Sequence, residues 1–221
     1  MHLPLHSSVV GLHKLLGGLR RPIRLRRMQR FVTTLDINPV TRVLDVGGSP
    51  KIWDVCSIQP RVTLLNIKPY VAHMPMIVGD ARRLPIKDGS FDVVFSNSLI
   101  EHLPPVSWHE FAHECRRVGT RLWIQAPNQR FPIEPHQMTP FIHWLPRRWQ
   151  KRLARWSVRA LADHSSRAAV RLVEEVHLPT ARQLRTIFPD AQLVVERWLG
   201  LPKALIVVLD LDRAQSSGRI R

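Results

Sequence analysis

Four groups of small and polar residues in the first half of the chain have the types and spacing to hold a nucleoside-like ligand. The first is Asp45 followed by Gly47-Gly48, an acid closing an apolar run that breaks into two glycines. Glycines without Cβ let the backbone turn sharply and approach a bound molecule, while the acid supplies a fixed acceptor beside it. Asn66, Asp80-Ala81 and Asn97-Ser98 follow, each at the end of its own short apolar run. Read without a ligand, Asp45 is an acceptor for backbone N–H groups of the turn and Asp80 a cap on the next turn. Histidine brings a second kind of chemistry, since a neutral imidazole can take the proton of an attacking hydroxyl. His102 follows the fourth group, and His136 and His143 stand in a proline-rich stretch after Pro127. Glu134 and His136 flank Pro135, so a carboxylate is expected close to that ring.

These groups can meet only if the runs before them lie side by side. Val43–Val46, Val62–Ile67, Met76–Gly79, Phe91–Ser96 and Arg121–Ala126 read as strands. Between them, Lys51–Ile58 reads as a short helix or turn, and Lys87-Asp88-Gly89-Ser90 as a turn. Pro105–Val118 reads as a helix with proline in its first turn and Gly119 just beyond its end. Such alternation predicts a parallel, doubly wound sheet with its ligand at the carboxyl ends of the strands. Thr180–Phe188 adds a helix with Thr180 as N-cap, and Gln192–Leu199 and Ala204–Leu211 add two strands joined through Gly200–Lys203. That short link predicts an antiparallel hairpin at one edge. The fold class expected is α/β: a Rossmann-like, doubly wound, mostly parallel seven-stranded sheet with an antiparallel C-terminal hairpin.

Residues 37–212 make one domain on this reading, with 128–178 as a lid or substrate-facing insertion, because the segment is too long for an ordinary connection. Residues 213–221 read as a frayed tail, and 1–36 as a basic helical segment with Leu12, Leu15, Leu16 and Leu19 at helical spacing. That segment is expected to pack on the fold with its arginines in water; the alternatives are a membrane contact or a guard over the ligand site.

At the strand tips the chain resembles the class I S-adenosylmethionine-dependent methyltransferases, particularly those acting on small molecules. Val43–Pro50 looks like their first motif, and Gly79-Asp80-Ala81 with Leu84-Pro85 and Asp88–Val94 like their next block. Ser98–Leu103 resembles the segment after their fourth strand, and Glu114–Val118 the end of the following helix. The resemblance covers residues 40–127 and implies S-adenosylmethionine as cofactor. It implies Gly47 and Gly48 at the methionine end near Asp45, Asp80 and the Ala81 backbone at the adenine, and Asn97 and Ser98 below the sulfonium. The chain departs from the pattern twice. Asn66 stands where an acid usually grips the ribose hydroxyls, and Ser49-Pro50 where a further glycine is common. Both departures suit weaker cofactor binding, or a non-catalytic relative that acts at a membrane surface or in a complex.

Asn97-Ser98-Leu99-Ile100 differs from the Asn-Pro-Pro-Tyr common in methyltransferases that modify exocyclic base or amide nitrogens. An oxygen of a small-molecule, glycan or lipid-linked acceptor fits better, with His136 or His102 as the catalytic histidine. Pro127–His136 also resembles a stretch in methyltransferases encoded among bacterial glycan-assembly enzymes.

Composition bounds the partners. The 221 residues carry 33 Lys and Arg against 17 Asp and Glu, a formal net charge of +16, which predicts attraction to an anionic surface. An anionic membrane, RNA and a phosphorylated substrate are the candidates, RNA less favoured than the membrane; a generally arginine-rich surface explains the charge equally well. Trp144, Trp149 and Trp156 are interleaved with Arg147, Arg148, Lys151, Arg152, Arg155 and Arg159. The plainer reading is a lid whose tryptophans pack on the core and whose arginines face water; the other is a surface for a sugar-phosphate, lipid headgroup or RNA. Cys56 and Cys115 lack the spacing of a metal site, so no metal is expected, and they suit a reducing cytosol. In Met1–Gly18 the apolar residues precede the basic ones, the reverse of a secretory signal. The expected location is cytoplasmic, with a peripheral position at the membrane as the variant.

Overall fold

A computed structural model describes residues 21–162 and 165–210. The expected helix around Leu12–Leu19 and the expected frayed tail 213–221 lie outside the described residues. A helix through residues 21–34 (α1) leads into β1 (Arg42–Val46), the four-residue α2 (Pro50–Trp53), β2 (Arg61–Asn66), β3 (Met76–Val78) and β4 (Phe91–Asn97). Helix α3 (Trp108–Val118) and β5 (Gly119–Pro127) follow. Residues 128–178 hold β6 (Ile133–Glu134), β7 (Thr139–Pro140), α4 (Arg147–Ala154), α5 (Val158–Ala162) and α6 (Ser166–Glu175). Helix α7 (Ala181–Ile187), β8 (Gln192–Trp198) and β9 (Leu201–Asp210) complete the described residues.

Seven strands form one sheet in the order β3-β2-β1-β4-β5-β9-β8. The first five are parallel, β9 runs antiparallel to β5, and β8 pairs antiparallel with β9. The hairpin therefore sits at the edge as expected, but its second strand lies inside. Burial explains the order: Ala204–Leu209 of β9 are buried without a break, whereas β8 is largely half-exposed. A continuous apolar strand needs cover on both faces, and only an interior position supplies it. The hairpin turn is tighter than Gly200–Lys203, since Leu199 (φ 49°) and Gly200 (φ 79°) make a two-residue turn.

Side-chain alternation divides the core between the two faces of the sheet. Leu44, Val46, Val94, Leu122 and Ile124 meet Phe111 and Cys115 of α3 and Leu184 of α7. Val43, Val93, Phe95 and Trp123 meet Met28 and Phe31 of α1 and Trp53 of α2. Phe31 packs edge-on against Phe95 and Trp123 at 5.0 and 5.6 Å between ring centres. Thr180 caps α7 through a reciprocal capping box with Gln183. Gly119 does not terminate α3 in a left-handed turn; it is extended and opens β5, where a Cβ would come 2.7 Å from Val94 Cγ2. Within residues 128–178, Ile142, Ala154, Ala160, Ala169 and Val173 build a separate small core.

Candidate active site

The turn after β1 is shaped by three side chains. Gly47 adopts φ +75°, and a Cβ on Gly48 would come within 2.0 Å of the Asp45 carboxyl. Asp45 is wholly buried beneath the turn and accepts from the Trp53 indole N–H at 2.8 Å. Burial pushes its pKa up to about 7, against the pull of the Trp53 indole and the Ser49 amide; its Oδ1 has no hydrogen-bond partner. Pro50, which ends the glycine motif early, occupies the first position of α2, where its missing N–H costs nothing.

Asn66 has a role that an ionised acid could not take. Its Nδ2 donates to the Gly48 carbonyl at 2.9 Å, leaving Oδ1 as an acceptor; the Tyr70 hydroxyl donates to the same carbonyl at 2.9 Å. An ionised acid has no donor for that carbonyl. Asp80 is chelated by Arg82, with Arg82 Nη2 at 2.6 Å from Oδ2, and also accepts the Arg82 backbone N–H. The Arg82 hydrogen bonds hold its carboxyl below the usual range. The segment that carries it is latched to α3: Glu114 accepts from the Leu84 N–H, and Arg117 holds Glu114, Asp88 and the Leu84 and Ile86 carbonyls. Ala81 is buried beside this tip.

Asn97 and Ser98 meet a residue that sequence reasoning left in water. Arg27 of α1 is only 8% exposed. Its guanidinium forks onto Glu196 of β8 at 2.6 and 2.8 Å and reaches Asn97 Oδ1 at 2.6 Å and Gln125 Oε1 at 3.0 Å. Ser98, at φ 61°, donates to the same Gln125 oxygen at 3.0 Å. Arg27, Asn97, Ser98 and Gln125 line a cavity of about 260 Å³ over the tips of β4 and β5, bordered by Ile23 and Arg24 of α1 and by Phe131, Met138 and Trp198.

His136 borders that cavity from the insertion. Its Nδ1 lies 2.7 Å from Glu134 Oε1, while Glu134 Oε2 accepts the Gln137 N–H. A carboxylate partner fixes the proton on Nδ1 and leaves Nε2 with its lone pair. Burial lowers the pKa of His136, but the hydrogen bond and charge of Glu134 outweigh it, so the net shift is upward. His102 stands edge-on to His136 at 4.9 Å between ring centres. His102 keeps part of its surface in solvent, but partial burial of the ring and the neighbouring His136 push it down to about 4, which makes it a poor base at neutral pH. Glu101, wholly buried next to it, is pushed up to about 7 by burial. His143 shares a second, smaller pocket with Glu134 and His136; its Nε2 meets the Gln129 carbonyl at 2.9 Å and its ring packs against Trp144.

Residues 47–121, from the glycine turn to the start of β5, match the family described as "Methyltransferase domain". The fold is similar to a SAM-dependent methyltransferase from Archaeoglobus fulgidus, at 13% identity and TM-score 0.55, over 86% of this chain and 93% of that one. It is also similar to a chain from Nostoc punctiforme assigned as an O-methyltransferase, at 12% identity and TM-score 0.52, over 90% and 59%. No curated protein sequence matches the chain. Residues 47–121 carry the pattern of that methyltransferase family, on a fold shared with solved S-adenosylmethionine-dependent methyltransferases.

The residues present fit S-adenosylmethionine. The glycine turn leaves no room for a Cβ at Gly48, and Asn66 keeps a free acceptor at the tip of β2. Sequence reasoning missed Arg27, Glu196, Tyr70 and Gln125. Arg27 is one arginine among many before residue 30, and Glu196 sits in an ordinary alternating strand. Neither position carries a local signal of their pairing. Tyr70 did carry one, as the only tyrosine in the chain, within a few residues of the β2 tip.

Proposed function

We propose that this methyltransferase transfers a methyl group to an oxygen of a small or glycan/lipid-linked acceptor held in the cavity over β4 and β5. The observation that carries the reading is the Glu134–His136 pair, which borders the same cavity as Asn97 and Ser98. Asp45, Gly47, Gly48, Asn66, Asp80, Ala81, Asn97 and Ser98 are the residues that would hold the cofactor. When bound, S-adenosylmethionine supplies an electrophilic methyl on a positively charged sulfur. His136 Nε2 would take the acceptor hydroxyl's proton, which readies that oxygen to receive the methyl group. Glu134 holds the ring in the required tautomer and stabilises the imidazolium. Arg27 ties Asn97 and Gln125 in place, so the pocket floor is set by the docking of α1.

His136→Ala should lower kcat by about 10²–10⁴-fold, the usual range for a general base, with little change in cofactor affinity. The imidazole is active when neutral, so kcat/KM should rise with pH through an apparent pKa above the ordinary histidine value. Glu134→Gln should bring that pKa back down. A pH profile that is the same in both proteins would remove His136 from the reaction.

The surface of the insertion supports a peripheral position on an anionic membrane. Trp144, Trp149 and Trp156 are 54%, 46% and 73% exposed, so the expected packing of these tryptophans on the core does not occur. They share α4 and its flanks with the exposed Arg147, Arg148, Lys151, Arg152 and Arg155. Apolar rings that enter the headgroup region beside arginines that pair with anionic lipid are the mark of an interfacial helix. Among the described residues no helix is long and apolar enough to cross a membrane.

A further inference from the structure

Beside the proposed proton acceptor lies a group of side chains whose chemistry exceeds that role. Glu101 and His102 come from the short 3-10 turn Ile100–His102 after β4, and His136 from the loop between β6 and β7. One carboxylate oxygen and one ring nitrogen from each histidine lie within 4.8 Å of one another. His136 Nε2 is 3.9 Å from Glu101 Oε1. Two ligands each about 2.1 Å from a single ion stand about 3–4.2 Å apart, so a shift of about half an ångström would close the set.

The second observation concerns Glu101. Its side chain is 0% exposed, and neither Oε1 nor Oε2 has a hydrogen-bond partner. A buried carboxylate without donors is costly unless a positive charge faces it. No lysine or arginine is paired with Glu101 among the described residues; the group facing it is the imidazole of His136. The orientation of that ring is also informative. Glu134 takes the Nδ1 side at 2.7 Å, so the lone pair on Nε2 points away from Glu134. A carboxylate behind the distal nitrogen is the common arrangement behind a metal-bound histidine. His102 is exposed, which gives a path for an ion from solvent.

We propose that Glu101, His102 and His136 form a binding site for one divalent transition-metal cation at the edge of the acceptor cavity. Two imidazole nitrogens and one carboxylate suit a first-row ion such as zinc, cobalt or manganese better than magnesium or calcium, which prefer all-oxygen sites. Three protein ligands leave positions open for water or an acceptor oxygen. The catalytic consequence rests on the acceptor lying beside His136. With an ion present, Nε2 is a ligand and no longer a base. The acceptor hydroxyl then binds the ion, loses its proton to water as its acidity rises, and attacks the methyl carbon as the carbon–sulfur bond breaks.

The test uses the full chain, stripped with EDTA, dialysed and titrated with Co²⁺ while its visible absorption is followed, and with Zn²⁺ by calorimetry. The expected result is one equivalent per chain, with affinity lowered about 10-fold or more in both His102→Ala and Glu101→Gln, and S-adenosylmethionine binding kept in both. Glu134→Gln should weaken the ion about 10–100-fold by loosening His136. Because His102 is exposed, its variant keeps the test valid if Glu101→Gln does not fold. No Co²⁺ spectrum, or equal affinity in wild type and His102→Ala, would overturn the site. Methyl transfer by ion-free protein that takes up no Co²⁺ would leave His136 as the base and remove the ion. One tight equivalent of Co²⁺ in a protein that methylates no oxygen acceptor would keep the ion and remove the acceptor assignment.

Discussion

At the residue scale the two glycines of the first turn are not equivalent. An alanine at Gly47 must adopt φ +75°, which costs about 1–2 kcal/mol for an L-residue, and its Cβ would press on Leu99 at 2.8 Å from Cδ1 and 3.1 Å from Cβ, an apolar side chain whose end can turn aside. An alanine at Gly48 would strike the carboxyl of Asp45 at 2.0 Å, and Asp45 is wholly buried and held by the Trp53 indole. Gly48→Ala should therefore abolish measurable S-adenosylmethionine binding in calorimetry, while Gly47→Ala weakens it about 10-fold. Equal losses in the two variants would mean that Asp45 yields and that the turn is softer than its contacts imply. The substitution of asparagine for the usual acid at residue 66 belongs to the same turn, because the amide ties down Gly48 with a donor that a carboxylate lacks.

At the element scale the decisive contact is between α1 and β8. The Arg27–Glu196 pair is buried on both sides, 8% and 10% exposed at the side chains, and joins a helix to a strand far along the chain. Removing one partner of a buried pair strands the other charge, at a cost of about 3–5 kcal/mol, whereas replacing both with apolar residues of similar volume is often close to neutral. Arg27→Met should lower the urea midpoint sharply, and Arg27→Met with Glu196→Leu should recover most of it. The double variant should still fail in methyl transfer, because Asn97 and Gln125 lose the guanidinium that holds them. Full activity in the double variant would make the pair a matter of stability alone.

At the scale of the whole molecule, the charge of +16 and the exposed tryptophans of the insertion act together. The protein should sediment with vesicles of phosphatidylglycerol and not with neutral phosphatidylcholine. Trp149→Ser with Trp156→Ser should weaken that binding about 10-fold without changing cofactor affinity, and raised salt should weaken it further. Binding to RNA with a steep salt dependence, and none to anionic vesicles, would favour the nucleic-acid alternative instead.

The strands, the glycine turn and the order of the strand tips were legible in the residues, because period-two burial and turn chemistry are written within a few neighbours. Val43–Val46 and its glycines lie where their pattern predicts, and Thr180 caps the helix its spacing promised. Those local signals, with Gly79–Ala81 and Glu114–Val118 at their distances, were enough to reach the cofactor family. Glu134 beside His136 was readable too, since the two are adjacent but for a proline. What only the tertiary structure decided is which distant groups share one place. Arg27 meets Glu196 across 169 positions, and Glu101 meets His136 through the return of the insertion. The last strand runs inside the sheet, and the tryptophans face outward. Such pairings are set by how the whole sheet covers its two faces and by which charges find partners when water is excluded. No short window of residues carries that information.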